Sequence, residues 1–155
     1  MNRFPAGCLR AGDSYDAPMQ VQVRPAIATD AAAVLLLWAE AGAEPSHTDD
    51  IDGLTHLLRR DPGALLVAEM DGRIVGSIIG AWDGWRGSIY RLAVRPGQRR
   101  LGVARRLLSE AEGRLTRLGA RRLQAIVVEP DDLAMAFWRA SDWIEQSERV
   151  RFVKG

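Results

Sequence analysis

Leu92-Ala93-Val94-Arg95-Pro96-Gly97-Gln98-Arg99-Arg100-Leu101-Gly102-Val103-Ala104-Arg105-Arg106-Leu107-Leu108 is the stretch on which the reading of this chain turns. An apolar strand end, Leu92 to Val94, passes through Arg95-Pro96-Gly97 into a helix. There Ala104, Leu107, Leu108, Ala111, Leu115 and Leu118 recur at helical spacing. The first turn of a helix exposes unpaired amides and a partial positive charge. A Ser, Thr or Asp cap and first-turn acids normally answer it. Here the first acid is Glu110, and Arg99, Arg100, Arg105 and Arg106 crowd the positive end. Each has the unfavourable sign, at about 0.3–1 kcal/mol when exposed. A bound anion resolves the conflict, and Gly102 and Ala104 leave room for a phosphate to approach the amides. A diphosphate-type ligand is the functional reading; a solvated arginine cluster over a water-capped helix is the bland one.

Working outward, Gln20 to Arg24 alternates like an edge strand, and Met19 opens it. Thr29-Asp30 is a cap signal before a helix over 31–41, and Asp49-Asp50 before a second helix ending at Arg60. Asp61-Pro62-Gly63 stops that helix, and an apolar strand covers 64–69. Asp71-Gly72 is a hairpin turn into a strand over 73–82. A loop at 83–87 leads to a fourth strand over 88–94, and the long helix then runs from Gly102 to Leu118, with Gly119 as its stop. A fifth strand is expected over 122–129, a short helix from Asp131 or Asp132 to Ala140, and two last strands over 143–146 and 149–153. The expected fold is therefore α/β (α+β). It has a mixed central sheet of about seven strands with four helices, in the order β-α-α-β-β-β-α-β-α-β-β.

The 155 residues suit one domain. Residues 1–18 mix Gly, Pro, Asp and Ser without periodicity and are expected to be an irregular arm before a single domain over 19–155. They lack the apolar core of a secretory signal. With the lone Cys8, that leads to an expected cytoplasmic location. No apolar run reaches membrane-spanning length. One cysteine and two histidines leave no metal site to expect. The net charge is only +1, although Lys154 is the one lysine among 21 basic residues. A broad basic face for nucleic acid is therefore not indicated.

Arg99-Arg100-Leu101-Gly102-Val103-Ala104 fits the pattern Gln or Arg, two free positions, Gly, one free position, then Gly or Ala. It follows the strand Ile89-Tyr90-Arg91-Leu92-Ala93-Val94 and opens a helix. Further on, residues 131–143 are similar in spacing to N-x-x-A-x-x-F-Y-x-x-x-G-F. In these features the chain resembles the GCN5-related N-acetyltransferases from about Val21 to Val153. The Trp-Asp-Gly-Trp-Arg-Gly loop at 82–87 is similar to that of a small bacterial subgroup. The resemblance implies acetyl-CoA as co-substrate, lying between splayed fourth and fifth strands. It implies that the backbone of Leu92 and Val94 pairs with the pantetheine arm. Amides from Arg99 through Leu101, Gly102 and Val103 to Ala104 would cradle the pyrophosphate. Arg99, Arg100 or Arg105 would add charge-assisted bonds, and an amide near Leu92 or Ala93 would stabilise the oxyanion.

The chain departs from the pattern where the family carries its proton-transfer groups. Trp138 stands where a Tyr often protonates the departing thiolate, and an indole N–H is a donor only. It either bonds the sulfur or packs. Ser88 stands where histone-type members carry a basic Glu. The catalytic candidates that remain are Tyr90, facing substrate or core as strand alternation decides, and Asp83, which orients an amine or forms a turn. Glu129, Trp82, Trp85, His47, Asp49 and Asp50 are further residues near the expected acceptor side, each with an ordinary structural alternative. The activity implied is transfer of an acetyl group to a primary amine on a small molecule or peptide. The alternative is an acyl-CoA-binding module without turnover. The oligomeric state is left open: C-terminal strands in the family often meet across dimers, which makes a homodimer one alternative and a monomer the other.

Overall fold

The computed structural model describes residues 20–128 and 131–155. The expected arm, Met19 and Glu129 lie outside the described residues. Two helices follow the first strand: β1 (Gln22–Pro25), α1 (Ala31–Glu40) and α2 (Ile51–Arg60). Three consecutive strands come next: β2 (Leu65–Met70), β3 (Arg73–Trp82) and β4 (Gly87–Val94). The chain continues with α3 (Val103–Arg117), β5 (Leu123–Ala125) and α4 (Asp132–Arg139). Short 3-10 turns at Ala28–Asp30 and Pro96–Gln98 precede α1 and α3.

Local chemistry accounts for the boundaries. Asp50 caps α2 by accepting the Gly53 amide at 2.6 Å, and Asp131 caps α4 through the Ala134 amide at 3.0 Å. Asp30 does not cap α1 in this way. Its carboxylate instead accepts from the Ile27 amide and the Arg24 guanidinium. Asp71 (φ 50°) and Gly72 (φ 74°) make the β2–β3 turn with two left-handed residues, as the strand twist requires.

The sheet has five strands in the order β1-β2-β3-β4-β5. All neighbours are antiparallel except β4 and β5, which run parallel across the α3 crossover. Strand alternation sends Leu66, Ala68, Ile78 and Ile89 to one face, against Val103, Leu107, Leu108, Ala111 and Leu115 of α3. Leu65, Val67, Ile79 and Ala93 go to the other, against Val34, Leu37 and Trp38 of α1 and Leu54 of α2.

Two expectations are corrected. About seven strands were expected, and five form among the described residues. Neither 143–146 nor 149–153 is a strand. Ile144, Val150, Phe152 and Val153 stay exposed, so their alternation finds no ladder to complete. The fifth strand is three residues long rather than running from 122 to 129, because β5 leaves β4 after Ala125.

Gly76 shows how closely α3 is seated. A Cβ there would lie 2.9 Å from both Leu107 Cδ1 and Val103 Cγ1, and 3.2 Å from the Ala93 carbonyl oxygen. Both side chains are buried and cannot yield freely. Gly76→Ala is expected to lower unfolding free energy by about 1–3 kcal/mol in a urea titration, with the m-value unchanged.

Candidate functional site

The site is built where β4 and β5 part. They pair only from Gly87↔Leu123 to Ile89↔Ala125. From Tyr90 onward the β5-facing edge of β4 has no strand partner among the described residues. Across the gap, Ile126 and Val128 stay about half exposed. A wedge with an apolar wall therefore runs along 90–94 toward the start of α3.

At its wide end the β4–α3 loop has the features that its sequence foreshadows. α3 has no side-chain cap and no acid in its first turn. Arg100 (φ 64°) and Gly102 (φ 79°) are both left-handed. Left-handed residues interspersed with ordinary ones are the conformations from which amide nests are built, and these two lie just before a helix N-terminus. Gly102 bears no Cβ, and one added there would meet nothing within 4 Å, so the approach is open. Arg100, Arg105 and Arg106 are exposed around it. Arg99 is exposed too, but its guanidinium donates to the Val94 carbonyl at 3.4 Å and the Ala41 carbonyl at 3.2 Å. It braces the loop against the end of α1.

At the narrow end lies Tyr90. It pairs with Ile79, which belongs to the α1–α2 face, and opposed residues project from the same face. On that face Tyr90 lies beyond the packed helices and stays 45% exposed. Leu92 and Val94 pack toward α3, while Ala93 packs on the α1 side.

Asp83 is elsewhere. It sits in the β3–β4 turn, before Gly87 at the start of β4, which is itself three residues, about 10 Å, from Tyr90 along the strand. Its Oδ1 accepts the Arg86 amide at 2.6 Å and the Trp85 amide at 2.7 Å. These bonds, the Arg86 amide first, hold its carboxyl below the usual carboxylate range and make it a weaker base. Trp85 lies exposed beneath the Arg86 guanidinium, 3.9 Å from ring centroid to Cζ.

Trp138 is partly buried on the α3 face. It stacks edge-on with Phe137 (5.7 Å) and Trp143 (4.7 Å), and Trp143 donates its Nε1–H to Glu112 at 2.7 Å. Asp50 is the α2 cap, and His47 is exposed in the loop before it. Among the described residues no group of three or more His, Cys, Asp or Glu is placed to hold a metal. No helix among them is long and apolar enough to cross a membrane.

Sequence reading missed three residues beside this site: Arg91, Trp38 and Ser77. Arg91 is left-handed in mid-strand (φ 51°), and its guanidinium pairs with Asp49. Trp38 donates to the buried Ser77 hydroxyl at 2.8 Å. The available signal was the spacing of Arg91, Arg95 and Arg99 opposite an acid-rich 40–52 segment.

The chain is thus a mixed-sheet α/β protein with an uncapped, arginine-rich helix start beside an open strand edge, and known proteins assign its family. Residues 31–142 match the acetyltransferase (GNAT) family, and the chain belongs to that family. An acetyltransferase of Yersinia pestis (strain Pestoides F) is 36% identical over 113 residues, covering 73% of this chain and 80% of the relative. The protein is an N-acetyltransferase, and the alternative of a binding module without turnover gives way. The fold is similar to that of Ard1 from Thermoplasma volcanium, with TM-score 0.74 and 20% identity over 82% of this chain and 84% of that one. It is also similar to the aminoglycoside N-acetyltransferase AAC(6')-Iy in complex with CoA. There the TM-score is 0.71 and the identity 20%, over 90% of this chain and 97% of that one.

Proposed function

We propose that acetyl-CoA, the co-substrate, lies in the wedge between β4 and β5, with its pyrophosphate in the nest at 99–104. Its pantetheine arm runs along Leu92 to Val94, and its thioester reaches the apex near Tyr90. The observation that carries this reading is the coincidence of an uncapped, arginine-rich helix start with an unpaired strand edge leading to it. The nest supplies amides and charge for a diphosphate. The strand edge supplies backbone partners for an amide-bearing arm.

The reaction proposed is direct transfer to a primary amine on a small molecule or peptide. The amine nitrogen attacks the thioester carbonyl and a C–N bond forms. The tetrahedral oxyanion is held by a β4 amide at Leu92 or Ala93, then collapses with cleavage of the C–S bond. The amine gives up a proton and the departing CoA thiolate takes one. Tyr90, exposed at the apex, is the side chain proposed to handle that proton. Trp138 is proposed to flank the cofactor rather than act as an acid. Asp83 is proposed to shape the β3–β4 turn. Holding both reactants in register contributes up to roughly 7–11 kcal/mol in favourable intramolecular cases.

The acceptor side is chemically distinct from the cofactor side. Residues 40–52 carry Glu40, Glu44, Asp49, Asp50 and Asp52 and no Lys or Arg; Arg95 and Arg91 neutralise Glu40 and Asp49, and Glu44, Asp50 and Asp52 have no ion-pair partner among the described residues. This segment joins α1 to α2 on the face to which Tyr90 projects. It supports a cationic amine as acceptor, drawn toward negative charge. The homodimer is proposed to cover the exposed Ile144, Val150, Phe152 and Val153.

Titration calorimetry with acetyl-CoA is expected to show one site per chain. An amine panel should show CoA thiol release and an acetyl mass shift on polyamine or aminoglycoside acceptors ahead of neutral or acidic ones. No heat at millimolar acetyl-CoA would refute the placement.

A further inference from the structure

We infer that Arg91 is a positioning residue for acetyl transfer: anchored to the α1–α2 connection, it holds the β4 bulge in the form that turns a backbone amide toward the thioester carbonyl. The inference rests on the cofactor placement proposed above.

The bulge is visible in the register. Ile79 faces Tyr90 and Ser77 faces Ala93, so Arg91 and Leu92 together oppose Ile78 alone. Two residues against one take the 91–92 peptide out of the ladder with β3. The step is made with Arg91 left-handed, which is uncommon for a residue bearing a Cβ. Such a conformation persists where its surroundings over-determine it.

They do so from both ends of the residue. The Arg91 carbonyl accepts from Ser77 Oγ at 3.4 Å, and that oxygen accepts the Trp38 indole N–H at 2.8 Å. Trp38 is 4% and Ser77 0% exposed, so this chain is dry. The guanidinium lies 5.2 Å from the Trp38 ring, donates to the Glu44 carbonyl at 2.9 Å and pairs with Asp49. Two more arginines reach the same connection from the cofactor loop. Arg95 pairs with Glu40, and Arg99 donates to the Ala41 carbonyl at 3.2 Å. The segment that would meet the acceptor is thereby tied to the strand that would hold the thioester, and Arg91 is the tie nearest the apex.

The test reads carbonyl polarisation directly and needs no acceptor. Acetyl-CoA carrying ¹³C at the thioester carbonyl is bound to the full chain, and its carbonyl resonance is compared with that of free acetyl-CoA. In the native protein it is expected to move downfield. Arg91→Gly keeps the left-handed backbone accessible while removing the guanidinium. Asp49→Asn removes the ion partner without touching β4. Each is expected to lose about half or more of the displacement while acetyl-CoA affinity stays within about threefold, and Arg91→Lys to recover part of it. Full displacement in both variants overturns the inference, as does a native complex with no displacement. Loss of displacement and affinity together also overturns it, because that marks a merely structural role. Absence of binding to the native protein instead removes the cofactor placement on which the inference rests.

Discussion

Arg100→Glu combined with Arg105→Glu is expected to weaken acetyl-CoA binding by about 10²–10⁴-fold while leaving the ligand-free protein as stable as before or slightly more so. Hydrogen bonds to charged groups contribute about 1.5–3 kcal/mol each, and 1.4 kcal/mol is a factor of ten. Losing two such contacts and placing carboxylates against a diphosphate therefore sets that range. Stability moves the other way. Arg105 is the third residue of α3, where positive charge opposes the helix dipole and Glu complements it. Arg100 is exposed just before the helix. The gain in unfolding free energy is expected at about 0.5–2 kcal/mol. Calorimetric titration reads the first quantity and thermal melting without ligand the second. Unchanged affinity would mean that the nest does not hold the pyrophosphate. Lost affinity with lost stability would mean that the loop had misfolded.

Leu107→Ala is the second large effect. Leu107 is fully buried at the centre of the cluster between α3 and the sheet, against β3 and β4. Truncating it leaves a cavity behind the strand that borders the wedge, and such changes cost about 2–5 kcal/mol. At about 2–4 °C per kcal/mol for a chain of this size, the melting temperature is expected to fall by about 4–20 °C. Acetyl-CoA at a hundredfold its dissociation constant is expected to restore about 2.7 kcal/mol, because it binds only the folded state. A melt with and without acetyl-CoA checks both values. Rescue by acetyl-CoA but not by free phosphate at equal concentration would tie the effect to the whole carrier.

Elements whose signals are local were legible. The hairpin turn at Asp71-Gly72, the Asp50 and Asp131 caps and the stop at Gly119 are each set by residues within one turn of the chain. The α3 stripe was legible because a helix registers its buried face in its own periodicity, except at Leu118, which follows the last turn and stays 43% exposed. The two final strands were misread because Val150, Phe152 and Val153 alternate as a strand does. Alternation shows which face would be buried; it does not provide a neighbouring edge.

The cofactor loop divides in the same way. Its missing acids and its arginines are facts of composition at one place, so the uncapped, cationic helix start was legible in residues 92–108. Which arginine does what was not: of Arg99, Arg100 and Arg105, Arg99 donates to the Ala41 carbonyl while the other two stay exposed beside the loop. Outside that loop, Asp83, read as orienting an amine or forming a turn, accepts the Trp85 and Arg86 amides in the β3–β4 turn.

The amino-acid sequence by itself determined that this chain folds as a mixed sheet with helices on both faces and presents an uncapped, cationic helix start. Both follow from short-range periodicity and charge. Only the tertiary structure decided that Tyr90 faces outward, that β4 parts from β5 after Ile89, and that Arg91 meets Asp49 across 42 residues. Which face of β4 the helices cover is a matter of packing, and the bulge at 91–92 shifts the facing of Leu92, Ala93 and Val94 by one; whether a strand bulges depends on what packs against it. Trp38 and Ser77 do that packing from elements far apart in the chain.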